Sequence, residues 1–429
     1  MKQRIALLLL AFVGSAFIFT ACDDLFGSKQ DGITDEIFRD GEQDPNLIVE
    51  EVGYVALLPF WDNFNEPTDV FVGYDELVYV TDSDGLHVLD SAGRNYSTIP
   101  LRGAVAVAQD RLLNVYVAAR IDTVITAVDP NRTWDLPAVY KIRNANGAGP
   151  LEFIQTMVHP FMDASRSTTA SQRGRLNDNP DSDENVEITG LATLANNDIY
   201  ITRRGPRNQT GQAVAQDNTV LLMSRVLGED GNPTDIMRNI SQIRTLNPST
   251  PSLLSAIDLS AIASFATPPQ RDNVPAERSF LIAQGNPDRE IPFRVLWVNA
   301  VQTPDGLEYR SNPSLLAQDT TRADSFLYEQ DKFRSPSGIA FSGDERAHIF
   351  VTDAATDSLY LFQSNGIEGV NPPAGSSATR AINVSFGGTG SGPREFRDPS
   401  GVAYFRRIVY VADKGNNRIA RYRLNTDFE

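Results

Sequence analysis

Phe396-Arg397-Asp398-Pro399-Ser400-Gly401-Val402-Ala403-Tyr404 opens a phrase that continues through Val409-Tyr410-Val411-Ala412-Asp413 to Arg418-Ile419-Ala420-Arg421-Tyr422. It reads as a Phe, two residues, a Pro, then three short runs of β-branched and aromatic residues separated by polar turns. Runs of this composition and length read as strands. The phrase recurs. Phe64-Asn65-Glu66-Pro67 precedes Val70-Phe71-Val72, Val78–Asp82 and Leu86–Leu89. Phe333-Arg334-Ser335-Pro336 precedes Gly338–Phe341, Ile349–Asp353 and Leu359–Phe362.

Weaker copies fill the space between. Ala104–Val107 with Val115–Ala119, and Leu191–Leu194 with Ile199–Thr202, match the first two strands; Phe280–Ala283 and Arg294–Asn299 form a degenerate copy. Gly147-Ala148-Gly149-Pro150-Leu151-Glu152-Phe153 and Gly390-Ser391-Gly392-Pro393-Arg394-Glu395-Phe396 share Gly, Gly, Pro, Glu and Phe in register, so the link repeats as well. Helical periodicity is nearly absent. Internal repeats of short strands predict the blades of a β-propeller. Six starts are expected, near Pro67, Arg102, Ile188, Pro275, Pro336 and Pro399, each opening a four-stranded antiparallel blade. The last copy lacks a fourth strand, and Gly53–Phe60 is a spare one. A ring must close to remove its edges, so the spare strand is expected outermost in the last blade. Pro59 suits an edge because it cannot donate to a ladder.

Pro399-Ser400-Gly401-Val402-Ala403, Val409–Asp413 and Gly415-Asn416-Asn417-Arg418-Ile419, with the preceding glycine-rich link, resemble an NHL repeat. That resemblance implies a six-bladed propeller, in agreement with the count above. The strand-ending Asp82, Asp353 and Asp413 are expected to accept backbone N–H bonds at tight turns. Phe64, Phe333 and Phe396 are expected to wedge between blades. His87 and His348 read as surface or rim residues.

The chain has 429 residues, 41% of them hydrophobic, with 55 Asp and Glu against 38 Lys and Arg, a net charge of −17. That supports a large core and excludes extensive disorder. An acidic surface repels phosphate backbones, so nucleic acid is not an expected partner. Lys2 and Arg4, the apolar run Ile5–Phe19 and Thr20-Ala21-Cys22 have the order of a secretory signal peptide. Phe19-Thr20-Ala21-Cys22 resembles the bacterial lipobox, which implies cleavage before Cys22 and acylation of that residue. Residues 1–21 thus read as a lipoprotein signal peptide, 22–50 as an acylated cysteine and acidic tether, and 51–429 as the propeller. The expected location is the periplasmic or surface side of a bacterial envelope membrane, reached through the lipid anchor.

Two insertions, Ile154–Glu187 and Arg203–Asp217, are expected side by side on the face formed by the links between blades and the loops between second and third strands. Arg203, Arg204 and Arg207 are candidates for a binding face toward an anionic group. A third insertion, Asn247–Glu277, includes Pro251–Phe265, which reads as a short helix with Thr250 as N-cap. Asn177–Glu187 carries five acids that could hold calcium, though it reads better as a solvated loop; no cofactor is otherwise expected. No Gly-x-Ser-x-Gly elbow and no phosphate-binding loop is present. The expectation is a non-catalytic binding or scaffold module for a protein, peptide or glycan. The alternative is a metal-dependent propeller enzyme. The lactonases and amidating lyases similar to NHL proteins hold a divalent metal in the central channel. Asp69 and Asp398 are the acids nearest its mouth, and two are few for such a site.

Overall fold

The chain enters through β1 (Tyr54–Ala56) and then lays down six four-stranded antiparallel sheets. The computed structural model describes residues 52–126, 129–159, 182–209, 216–266 and 277–428; the signal segment, Cys22 and the tether lie outside them. Blade 1 comprises β2 (Asp69–Val72), β3 (Val78–Asp82), β4 (Gly85–Leu89) and β5 (Asn95–Pro100). Blade 2 comprises β6 (Ala106–Gln109), β7 (Val115–Val124), β8 (Thr133–Arg143) and β9 (Glu152–Val158). Blade 3 comprises β10 (Glu187–Thr193), β11 (Ile199–Arg204), β12 (Thr219–Leu227) and β13 (Pro233–Gln242). Blade 4 comprises β14 (Leu259–Ser264), β15 (Phe280–Gln284), β16 (Val295–Thr303) and β17 (Gly306–Ser311). Blade 5 comprises β18 (Pro336–Phe341), β19 (His348–Asp353), β20 (Ser358–Gln363) and β21 (Phe386–Gly387). Blade 6 comprises β22 (Pro399–Phe405), β23 (Ile408–Asp413), β24 (Arg418–Leu424) and β1.

The first strand of each blade packs against the first strand of the next, β2 to β6 to β10 to β14 to β18 to β22 and back to β2. This is a six-bladed β-propeller. The ring closes as expected, with Tyr54 opposite Leu424 and Ala56 opposite Tyr422. Pro59 lies just past β1, where its carbonyl accepts from the Arg421 guanidinium at 2.8 Å.

The core lies between blades. Phe396 is fully buried, with its ring 5.7 Å from Phe386 of blade 5 and 5.8 Å from Tyr422 of blade 6. Phe64 and Phe333 are buried in the corresponding seams. The strand-ending acids act as expected. Asp353 accepts from the backbone N–H groups of Arg334, Ser335, Ala355 and Thr356. Asp82 does the same for Asn65, Asp84 and Gly85. Asp413 accepts from Arg397 N, Asn416 and Arg418.

Several expectations fail. Pro251–Phe265 is not a helix. Asn247 caps a turn by accepting from Ser249 N and Thr250 N, and Leu259–Ser264 forms the innermost strand of blade 4. The apolar spacing that suggests a helix turn is a turn followed by a buried strand. Blade 4 therefore starts earlier than Pro275, and Phe280–Gln284 is its second strand. His87 and His348 are buried. His87 Nε2 lies 2.8 Å from Asp82, and burial pushes the His348 imidazole down to about 4. In the acidic stretch, Asp183 is buried against His159 at 2.8 Å and Glu184 meets Arg132 at 2.8 Å, so its described end is not a free solvated loop.

Candidate functional site

The innermost strands superimpose by register, and each register position forms a ring around the axis. One ring is aliphatic: Val70, Val107, Leu191, Ile262, Ile339 and Val402, which sit opposite Val80, Val117, Ile201, Ile282, Val351 and Val411. All six are buried, and all six line a small cavity of about 70 Å³ on one side of the ring. Leu191, Ile262, Ile339 and Val402 also form the floor of a larger cavity of about 480 Å³ on the other side. The ring is thus a collar between the two cavities, and the larger cavity is a cup.

The residue before the collar is Asp69, Ala106, Gly190, Ala261, Gly338 or Gly401. Small residues are needed here because neighbouring strands approach closely. A Cβ on Gly338 would lie 2.9 Å from Gly401 Cα, and one on Gly401 would lie 2.8 Å from Asp69 Cα. Asp69 is the exception in this ring. Its Oδ1 accepts from Val70 N at 2.9 Å and its Oδ2 from Val107 N at 3.0 Å. Burial pushes its carboxyl up to about 7, against the lowering effect of these two amides.

One residue further out, hydroxyls join successive blades. Ser260 Oγ donates to Pro336 O (2.6 Å), Ser337 Oγ to Pro399 O (2.5 Å), Ser400 Oγ to Pro67 O (2.7 Å) and Thr68 Oγ1 to Ala104 O (3.0 Å). The chain of hydroxyls stops at blades 2 and 3. Val105 has no hydroxyl, and Thr189 bonds within its own sheet to Thr202 at 3.0 Å. The two insertions adjoin this sector.

Charged groups at the lip are paired. Arg204 Nε donates to Glu187 at 2.5 Å, Lys414 lies 3.4 Å from Asp398, and Arg120 Nε donates to Asp135 at 2.9 Å. Both acids noted in the sequence near the mouth, Asp69 and Asp398, line the cup. Among the described residues no group of three or more His, Cys, Asp and Glu is placed to hold a metal ion.

The three candidate arginines separate. Arg203 is a correction: it is fully buried, not on a binding face. Its Nε donates to Asp217 O at 3.1 Å and its Nη2 to Gln216 O at 2.7 Å, while Nη1 lies 3.3 Å from His159 Nδ1. It therefore ties the bases of both insertions together. It stands opposite Ile188, at the register position that Asp353 and Asp413 hold in blades 5 and 6. Arg204 lines the cup. Arg207 belongs to the base of the second insertion, where its N–H donates to Asp217 Oδ2 at 2.8 Å. The first insertion is shorter than expected, because Ile154–Val158 belongs to β9. The third lies partly on the far side of the ring. Phe265 and Ala266 follow β14 away from the cup, and Tyr74 Oη donates to Ala266 O at 3.3 Å. Cys22 and residues 210–215 lie outside the described residues.

The sequence reading missed the hydroxyl chain. Its signal was available: Ser or Thr follows Pro67, Ile188, Leu259, Pro336 and Pro399 in aligned copies.

The class that this geometry defines is a closed six-bladed propeller with a cup on one side of an aliphatic collar. Residues 396–422 match the family model of the NHL repeat. No curated protein sequence matches the chain. Among solved structures, a protein of unknown function from Bacteroides thetaiotaomicron VPI-5482 is 13% identical with a TM-score of 0.47, over 87% of this chain and 72% of that one. Virginiamycin B lyase from Staphylococcus aureus is 11% identical with a TM-score of 0.40, over 87% of this chain and 100% of that one. A putative gluconolactonase is 8% identical with a TM-score of 0.44, over 88% and 93%.

Proposed function

We propose that the chain is a lipid-anchored envelope protein whose propeller is a non-catalytic binding module for a protein, peptide or glycan. The observation that carries this reading is the cup. A collar of six aliphatic residues lies between it and a smaller cavity, so a ligand in the cup would rest on an apolar floor. A volume of about 480 Å³ lies in the range of small-ligand and side-chain pockets. The cup is lined by hydroxyls and paired charges on rigid strands, with Glu187 and Arg204, beside the bases of two insertions, at its lip, an arrangement suited to recognition. A metal-dependent channel enzyme would draw several ligating side chains from the inner strands, and the ring beside the collar offers one, Asp69.

The anchor reading rests on the order of residues 2–24. Palmitate incorporation and sedimentation with membranes are expected for the native chain and lost in Cys22→Ala. For the binding reading, a photo-cross-linking residue placed at Val105 or Lys414, both in the cup, should give discrete adducts in cells. The same residue at Tyr96, on the exposed outer strand β5, should not. Equal labelling at all three positions would refute the cup as the binding surface.

A further inference from the structure

The cup has one acid at its floor that no cation among the described residues answers. Among the described residues lining the cup, Arg204, Glu187, Lys414, Asp398 and Arg120 each have an oppositely charged partner. Asp69 is bonded instead to two backbone amides, one on each oxygen. A carboxylate offers about four acceptor positions, so roughly half of its capacity is left for a ligand. Its neighbour Val70 belongs to the collar, and Leu191, Ile262, Ile339 and Val402 form the apolar floor beside it. We infer that the cup takes a ligand through an ammonium group seated on Asp69, with an alkyl stem lying on the aliphatic floor, the chemistry of a lysine side chain. The inference rests on the reading of the cup as a binding site.

The physical case has three parts. An ionised carboxylate half-buried in the cup gains from a counter-charge, and an ammonium supplies both charge and donors. The net charge of −17 draws cations toward the molecule and repels anions. The arginines that might favour an anion are already engaged by Glu187 and Asp135. A polyhydroxylated amine would also present an ammonium, but it would leave hydroxyls against the aliphatic floor without partners.

Burial holds the free Asp69 carboxyl up to about 7, and an ammonium requires it ionised. Affinity should therefore rise with pH through neutrality, by about tenfold from pH 6 to pH 8. It should fall again only where the amine loses its own proton. Glu187, Asp398, Arg120, Arg204 and Lys414 face the same cup, each in an ion pair.

The test is calorimetric titration of the full-length protein in detergent with pentylammonium, pentanol, pentanoate and glucosamine. Asp69→Asn and Asp69→Gly are titrated in the same micelles. Glycine is the residue of three other blades at this register, so the second variant keeps the repeat's own backbone. Circular dichroism checks that both variants fold. The expected result is one site for pentylammonium, at least tenfold tighter than for the other three probes. That site strengthens from pH 6 to pH 8 and is lost in both variants. Equal binding of pentanol or pentanoate would overturn the ammonium assignment while leaving the cup a binding site. Tighter binding of glucosamine would overturn the alkyl stem. Unchanged binding in the variants, or no binding of any probe, would overturn the inference as a whole, and the cross-linking pattern would then decide the wider reading alone.

Discussion

One register position shows what a single residue does in this ring. At the end of the second strand, Asp82, Asp353 and Asp413 satisfy the backbone of the incoming link, whereas blade 4 has Gln284 and blade 3 has Arg203. Gln284 keeps the same task, with its Oε1 accepting from Ile257 N at 2.8 Å and its Nε2 donating to Phe293 O at 3.1 Å. Arg203 reverses polarity and donates to carbonyls of the second insertion. The need is a polar tie between link and sheet, and its sign follows whichever backbone groups the local loop presents. Phe396 is the clearest packing residue. Phe396→Ala should cost about 3–5 kcal/mol, measured by denaturant unfolding, because it opens a cavity between blades 5 and 6. His348 predicts a pH effect. Its folded pKa lies near 4, below the ordinary 6.5, so the folded state holds it neutral where the unfolded chain would protonate. Its contribution to stability is present above 6.5 and is lost as pH falls toward 4. In His348→Phe the melting temperature should therefore fall less steeply over that window than in the native protein.

At the scale of elements, closure and the inner hydroxyls do different work. β1 brings residue 54 beside residue 424 and gives blade 6 its outermost strand. A chain starting at residue 62 should leave β24 as an open edge. It should melt at lower temperature and associate in solution, which light scattering would detect. The hydroxyl bonds act at the inner seams. Ser400→Ala should cost about 1 kcal/mol, the usual net value of one hydrogen bond, and Ser337→Ala about the same. Val105→Ala, at the matching position of blade 2, removes no such bond and should leave that seam unaltered in a hydrogen-exchange comparison. The strong copies were legible because blades 1, 5 and 6 keep Phe, Pro and the terminal Asp together. Blade 4 was displaced by one strand because Leu259–Ser264 lacks the Pro and stands behind a turn that mimics a helix start. Asp69 was legible as an acid near the mouth. Its isolation from cations depends on residues from other blades and was not.

For the whole molecule, no helix among the described residues is long and apolar enough to cross a membrane. The proposed attachment through Cys22 rests separately on the order of residues 2–24. Thermal unfolding in EDTA and then in millimolar calcium tests the metal alternative. The midpoint is expected to stay constant. A saturable rise would indicate a native-state ion, which at a hundredfold excess over its dissociation constant contributes about 2.7 kcal/mol.

The fold class, the number of blades and the closing strand could all be read along the chain, because they follow from local runs, turns and a repeat length. These are short-range properties, written in consecutive residues. The burial of Arg203, His87 and His348, the collar and the isolation of Asp69 could not. Each depends on which residues of different blades meet around one axis. That meeting is set by sheet register and ring closure, where a shift of one residue would send every side chain to the opposite face.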